Sequence, residues 1–251
     1  MNQIISNSEF YNEIASDFDY MISFDSAVES KRKLLEKFID EKTKLAADIG
    51  CGSGVDSIAL SKLGLNVVAF DPSDEMLKIA SVNSERMKVK IKFKNYEADK
   101  IPKDFNNKFD LVVSLGNTFA NISEDKLSAS LQRCYDILKP NSSLLIQVLN
   151  YDKILKQKER IINITECLNK IFIRFYDFEE GETIFNILSF SKVDFSKRKL
   201  TSTKIYPHSQ KDFKTTLNNC GFGNTNFFGD LQLSKYIPTQ SSNLVISAKK
   251  Y

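Results

Sequence analysis

Short apolar runs alternate with stretches of helical spacing over the first 150 residues. Leu45, Ala46, Ala47 and Ile49 form one run, broken by a single acid, Asp48, and Val67–Phe70 form a second that ends on Asp71. Between them Val55, Ile58, Ala59 and Leu60 fall at helical spacing, behind a tight turn through Gly50, Gly52 and Gly54. This spacing predicts strand, glycine turn, helix and strand, with an acid closing each strand. Ser73–Ser84 reads as the next helix, with Ser73 as its cap and Pro72 just ahead of it. Lys90–Tyr96 alternates as a strand, and Phe109–Leu115 is almost wholly apolar, as expected of a strand covered on both faces of a parallel sheet. Lys126–Leu138 is amphipathic and leads into a strand at Leu144–Leu149. Ahead of this core, Ile4–Phe18 suggests one or two short helices, and Ser26–Asp40 another, with Ser26 and Glu29 in the spacing of a capping box.

After residue 150 the period changes to two. Ile171–Phe178 and Thr183–Lys192 alternate, with a turn expected at Glu180-Gly181, and Lys199–Tyr206 continues the pattern. These runs predict a small antiparallel sheet inserted after the fifth core strand. Ser209–Cys220 returns to helix, stopped by Gly221, and Asn224–Phe228 and Leu244–Lys249 supply two last strands. The expected fold is α/β: a Rossmann-like seven-stranded sheet with helices on both faces and a small antiparallel β insertion. One domain spans 1–251, with an N-terminal segment at 1–40, a core at 41–150 and 207–251, and the insertion at 151–206.

Composition narrows the chemistry. The 251 residues are 42% hydrophobic and 27% charged, with a net charge of +3 and lysines spread along the chain. No basic stripe marks a nucleic-acid binder. Four widely spaced cysteines, with no signal peptide, suggest a reducing cytoplasm. The single histidine, His208, leaves little scope for a metal site or a Ser-His-Asp triad. No apolar run reaches the roughly 18 residues of a membrane span. The oligomeric state stays open.

The glycines at 50, 52 and 54 read GxGxG, whereas a dinucleotide fingerprint reads GxGxxG, and no Lys-Ser/Thr follows as in a phosphate-binding loop. This turn, with its strand-end acids, resembles the class I S-adenosylmethionine-dependent methyltransferases. The resemblance implies that the turn and Asp48 meet the methionine part, Asp71 the ribose hydroxyls, and Asp99 beside Ala98 the adenine. The segments SGVDSIALSKLGLNVVAFDPSDEMLKIA, SLGNTFANI, LNYDKIL, IYPH and FFGD are similar, in order, to those of the glycine N-methyltransferase type. They imply that Leu115 touches the cofactor, that Asn117 and Tyr206 face the acceptor, and that 151–206 lies on the substrate side. The candidate cofactor set is Tyr11, Tyr20, Asp48, Gly50, Cys51, Gly52, Gly54, Asp71, Pro72, Met76, Ala98, Asp99 and Leu115. The N-terminal aromatics are read either as core packing or as a lid over the cofactor.

Three positions depart from that type. Leu149 stands where the family has an arginine that clamps a carboxylate, so glycine itself is a doubtful acceptor. Ser26 aligns with an arginine for the cofactor's carboxylate, leaving Lys31 or Arg32 as substitutes, and Asn121 replaces a histidine. Arg174 is either a replacement clamp or a strand arginine paired with Asp177 or Glu182. His208 is either a general base or the start of the helix after Pro207. The expected activity is methyl transfer to a small molecule at nitrogen, with Asn117, Tyr206 and His208 as catalytic candidates and no metal. Leu149, Arg174, Asn117 and Tyr206 are the candidate acceptor contacts. O-methylation of an aromatic or larger metabolite, in a pocket of Leu149, Phe172, Phe175 and Phe185, and a non-catalytic cofactor binder are the alternatives. Methylation of RNA or protein is disfavoured, because Ser114-Leu115-Gly116-Asn117 stands where an NPPY-type motif would be.

Overall fold

The computed structural model describes residues 3–179, 181–194 and 196–251. The chain begins with β1 (Ile4–Ile5), α1 (Asn7–Ile22) and α2 (Phe24–Leu35). The core follows as β2 (Leu45–Ile49), α3 (Val55–Lys62), β3 (Asn66–Phe70), α4 (Asp74–Arg86), β4 (Ile91–Lys94), β5 (Phe109–Ser114), α5 (Glu124–Ile137) and β6 (Leu138–Leu149). Next come α6 (Tyr151–Gln157), β7 (Ile161–Cys167), β8 (Lys170–Glu179), β9 (Glu182–Ser191) and β10 (Arg198–Ile205). The chain closes with α7 (Gln210–Asn219), β11 (Phe222–Phe228) and β12 (Asn243–Lys250).

Seven strands form the central sheet in the order β11-β12-β6-β5-β2-β3-β4. β2 to β6 run parallel, while β12 is antiparallel to β6 and β11 to β12. The central strands are apolar throughout because both faces are covered. Ala47, Ile49, Phe70, Val112 and Ile146 pack under α5 and α7 with Phe119 and Phe213. Ala46, Val113 and Leu145 pack on the other face with Leu35 and Leu60. From β2 the chain winds outward to β4, then returns to β5 on the other side of β2. The carboxyl ends of β2 and β5 therefore flank a crevice, where open α/β sheets bind ligands.

A second sheet has the order β1-β10-β9-β8-β7, antiparallel except that β1 runs parallel to β10. Helix α1 lies between the two sheets: Phe10, Ile14 and Met21 pack with Met76 of α4 and with Phe172 and Ile187 of the second sheet. The structure differs from the pattern reading at several points. Ile4 and Ile5 are a strand, paired to Ser202 and Thr203, and the helix after them runs to Ile22. The capping box belongs to Ser6 and Glu9 at the start of α1. Helix α2 starts at Phe24, where Ser23 turns the corner at φ 52°, so Ser26 caps nothing. Strand β7 joins the three expected ones. Of the turn expected at Glu180-Gly181, Glu180 lies outside the described residues, and Gly181 has φ 74°.

Candidate active site

A cavity of about 1180 Å³ opens at the crevice, roofed by α1 and walled by the second sheet. Its floor is the glycine turn. The N–H groups of Gly50 and Cys51 both donate to the Phe70 carbonyl, at 2.7 and 3.1 Å, which ties β2 to β3 as the chain leaves the sheet. Gly50 has φ +73°, and an added Cβ there would lie 2.1 Å from Thr118 Cγ2, so only glycine lets the turn approach Thr118. At Gly52 the nearest atom to an added Cβ is Phe18 Cε1 at 3.9 Å, so bare backbone faces the cavity.

Asp71 closes β3 in the cavity wall. Its carboxylate accepts the Gly52 N–H at 2.8 Å and the Ser73 N–H at 2.9 Å, which aims it and leaves lone pairs on both oxygens. Burial raises its affinity for a proton, and these two N–H groups oppose that rise. Asp48 lies beneath the turn, almost wholly buried, and accepts the Ser57 hydroxyl at 2.5 Å. Burial and the nearby charge of Asp56 push its carboxyl up to about 7. Lys31 reaches the cavity from α2, 2.9 Å from Asp56 and donating to Gln147 at 3.3 Å. Arg32 instead pairs with Glu29 on the surface. Pro72, Ala98, Asp99 and Leu115 complete this end of the lining.

The other end is built from β6, β8 and the segment after β5. Asn117, at φ 75°, accepts the Leu149 N–H at 2.9 Å and donates to the Tyr151 hydroxyl at 2.7 Å. Both ends of its amide are thus engaged by the scaffold. Tyr151 lies 3.4 Å, oxygen to oxygen, from Tyr176. Arg174 and Tyr176 share a face of β8, because side chains alternate along a strand, and both line the cavity. Arg174 donates from Nε to Asn163 at 2.6 Å. Neither expected carboxylate pairs with it: Asp177 is bound by Arg160 and Asn186, and Glu182 by Lys204. Tyr11 descends from α1 and accepts from Asn121 at 3.2 Å. Tyr206, held by its N–H on the Ala120 carbonyl at 2.7 Å, lines the same wall with Leu149.

Several candidates lie elsewhere. Tyr20 points to solvent, being nearly half exposed and on the side of α1 away from the cavity lining. Met76 is buried against Phe10 in the packing beneath α1. Gly54 starts α3 at φ +94°, with Ala80 and Ile58 as its neighbours. Asp48 supports the turn from below and does not line the cavity. His208 is buried outside it, with Nε2 2.8 Å from the Ile122 carbonyl and its ring on Phe213. Burial lowers its proton affinity, and the ring is turned to a backbone carbonyl and an aromatic neighbour away from the cavity. Phe172 belongs to the core under α1, and Phe175 faces away on the opposite side of β8; of that apolar set only Leu149 and Phe185 line the cavity. The sequence reading did not single out Tyr176 or Tyr151, whose place in the site follows from the alternation of β8 and from the Asn117 contact.

Among the described residues no helix is long and apolar enough to cross a membrane, and no His, Cys, Asp and Glu side chains gather to hold a metal ion.

A glycine turn and an aimed strand-end acid at the switch point of a parallel sheet make a site for a nucleoside cofactor. Residues 46–141 match the model of a methyltransferase domain. A glycine/sarcosine N-methyltransferase of Aphanothece halophytica is 24% identical over 231 residues, covering 90% of this chain and 84% of that protein. The glycine N-methyltransferase of Mus musculus is 34% identical over 120 residues, 43% of this chain and 41% of that protein. An S-adenosylmethionine-dependent methyltransferase from Clostridium acetobutylicum shares the fold with a TM-score of 0.79 at 18% identity, over 96% of this chain and 98% of its own. Together these make the chain a methyltransferase, with the family's domain at 46–141 and a likeness over most of its length to the glycine N-methyltransferase type. Its cofactor is S-adenosylmethionine. The cavity suits that molecule, offering bare backbone at Gly52, an acid at Asp71 with lone pairs to spare, and a cation at Lys31.

Proposed function

We propose that this enzyme methylates a nitrogen atom of a small molecule. The carrying observation is the likeness to glycine/sarcosine N-methyltransferases along 90% of the chain. In this reading Gly50, Cys51 and Gly52 lie along the methionine part, Lys31 meets its carboxylate, and Asp71 accepts the ribose hydroxyls. Ala98 and Asp99 border the adenine, Leu115 lies against the cofactor, and Tyr11 covers the site from α1. When bound, S-adenosylmethionine would supply a methyl carbon on a cationic sulfur: the nitrogen lone pair would form the new N–C bond as the C–S bond breaks, sulfur would keep the bonding pair, and the N-methylated product would shed its proton to solvent on release.

The protein's task is then alignment and exclusion of water. The acceptor end also favours nitrogen on chemical grounds. An amine attacks as soon as it is neutral, whereas an alcohol or phenol needs a base. His208 is outside the cavity, and burial pushes the phenols of Tyr11 and Tyr176 upward, the latter to about 12, so both stay protonated and act as donors. Incubation with methyl-labelled donor and a panel of amines, alcohols and phenols tests the reading. Labelled N-methyl products are expected, and a panel yielding only O-methyl products would overturn it.

A further inference from the structure

We infer that the acceptor carries an acid group, a carboxylate or a phosphate, and that Arg174 holds it together with the hydroxyls of Tyr11 and Tyr176; this rests on the methyl-transfer reading above. Arg174 is fixed at Nε by Asn163 on the neighbouring strand, which leaves both Nη groups of its fork without a partner among the described residues. No carboxylate lies within ion-pair distance of it among those residues, since Asp177 and Glu182 are engaged by Arg160 and Lys204. A half-buried guanidinium facing a cavity with nothing opposite it is poorly compensated. Its planar fork matches the two oxygens of a carboxylate or phosphate.

The neighbouring phenols are turned to help. The Leu149 N–H can only donate, so it fixes the oxygen end of the Asn117 amide and directs the Nδ2 group at Tyr151. The Tyr151 and Tyr176 hydroxyls lie 3.4 Å apart, where either can donate to the other, and Tyr176 also borders the cavity. Tyr11 accepts from the Asn121 amide at 3.2 Å, and its own proton has no acceptor among the described residues. Three groups able to donate, one guanidinium and two phenols, line this end of the cavity. Such an end receives an anion and repels a second cation. Leu149, the remaining wall on this side, offers neither charge nor hydrogen bond.

The test titrates protein saturated with S-adenosylhomocysteine with sodium acetate and with methyl phosphate, against acetamide as a neutral probe, at constant ionic strength. Wild type should bind at least one of the anions and not acetamide, and the tighter anion identifies the acid. Arg174→Met should weaken that anion by roughly tenfold to a hundredfold. Tyr176→Phe should weaken it less, and Arg160→Met, an exposed arginine paired with Asp177, should leave it unchanged. Should the methionine variant misfold, Arg174→Lys, which keeps charge and loses the fork, is expected to bind with intermediate affinity. Wild type that binds neither anion, or Arg174 variants that bind as wild type does, would overturn the inference. Equal loss of S-adenosylhomocysteine by Arg174→Met would also overturn it, by assigning the arginine to the cofactor. The anion probes carry no amine, so this outcome is separate from the choice between nitrogen and oxygen as acceptor atom.

Discussion

Replacing Gly50 by alanine perturbs the turn at its tightest point. The new Cβ would meet Thr118 at 2.1 Å from Cγ2, 2.5 Å from Oγ1 and 2.8 Å from Cβ, at a backbone φ of +73°. Thr118 cannot rotate aside freely, because its hydroxyl donates to the carbonyls of Gly50 at 3.2 Å and Leu115 at 3.0 Å. A left-handed backbone costs a non-glycine residue about 1–2 kcal/mol. Overpacking adds roughly 1–3 kcal/mol. The sum is about 2–5 kcal/mol, which at roughly 2–4 °C per kcal/mol lowers the melting temperature by about 4–20 °C. Urea denaturation followed by circular dichroism measures it. The double variant Gly50→Ala/Thr118→Ala separates the two contributions, since it removes the contacts at 2.1 and 2.5 Å and leaves the backbone conformation unchanged. It should recover about 1 kcal/mol or more of the loss, appearing as coupling between the sites. A single variant within about 0.5 kcal/mol of wild type, or strictly additive effects, would refute the reasoning.

Other positions make independent tests. The Asp48 carboxyl, pushed up to about 7 in the fold, lies near 3.9 when unfolded (~3.9), so the native chain holds this proton more tightly. The stability it contributes is complete below the unfolded value and is lost as pH rises through about 7. Asp48→Asn should flatten that fall in urea midpoints between about pH 4 and 8, and an unchanged slope would count against it. His208→Gln should lose about 1–2 kcal/mol with the Ile122 hydrogen bond while leaving the pH profile of turnover intact; a displaced profile would give the imidazole a proton-transfer role. Asn150→Ala removes bonds to the Pro238 and Ser241 carbonyls and from Tyr236 and the Lys153 N–H. It should cost roughly 2–4 kcal/mol, and a loss near zero in denaturant would mean that solvent satisfies those groups.

What the sequence revealed followed from how locally each feature is determined. The run FDLVVS announces a strand buried on both faces, and the GxGxG turn is forced by backbone angles that only nearby residues influence. The capping box shows where locality ends. Ser26 and Glu29 have the same spacing as Ser6 and Glu9, yet the corner at Ser23 starts α2 at Phe24 and leaves Ser26 and Glu29 inside the helix. Strand β7 escaped notice because it is an edge strand with Ile161 and Ile164 exposed, so its alternation is weak. In the site, Asn117 lines the cavity, but the partners that orient its amide, Leu149 and Tyr151, are distant in sequence and no local pattern announces them. Alternation along β8 already separates Arg174 and Tyr176 from Phe175. Which face meets the cavity depends on how that sheet packs against α1, which no local pattern records.

The central claim is that the crevice between β2, β3 and β5 binds a sulfonium nucleoside through Asp71. Calorimetric titration with S-adenosylhomocysteine tests it most directly, on wild type and on Asp71→Ala. The carboxylate that Gly52 and Ser73 aim into the cavity should contribute charge-assisted hydrogen bonds to the ribose, so its loss should weaken binding about tenfold or more. Wild type that fails to bind, or an alanine variant that binds equally well, would contradict the account.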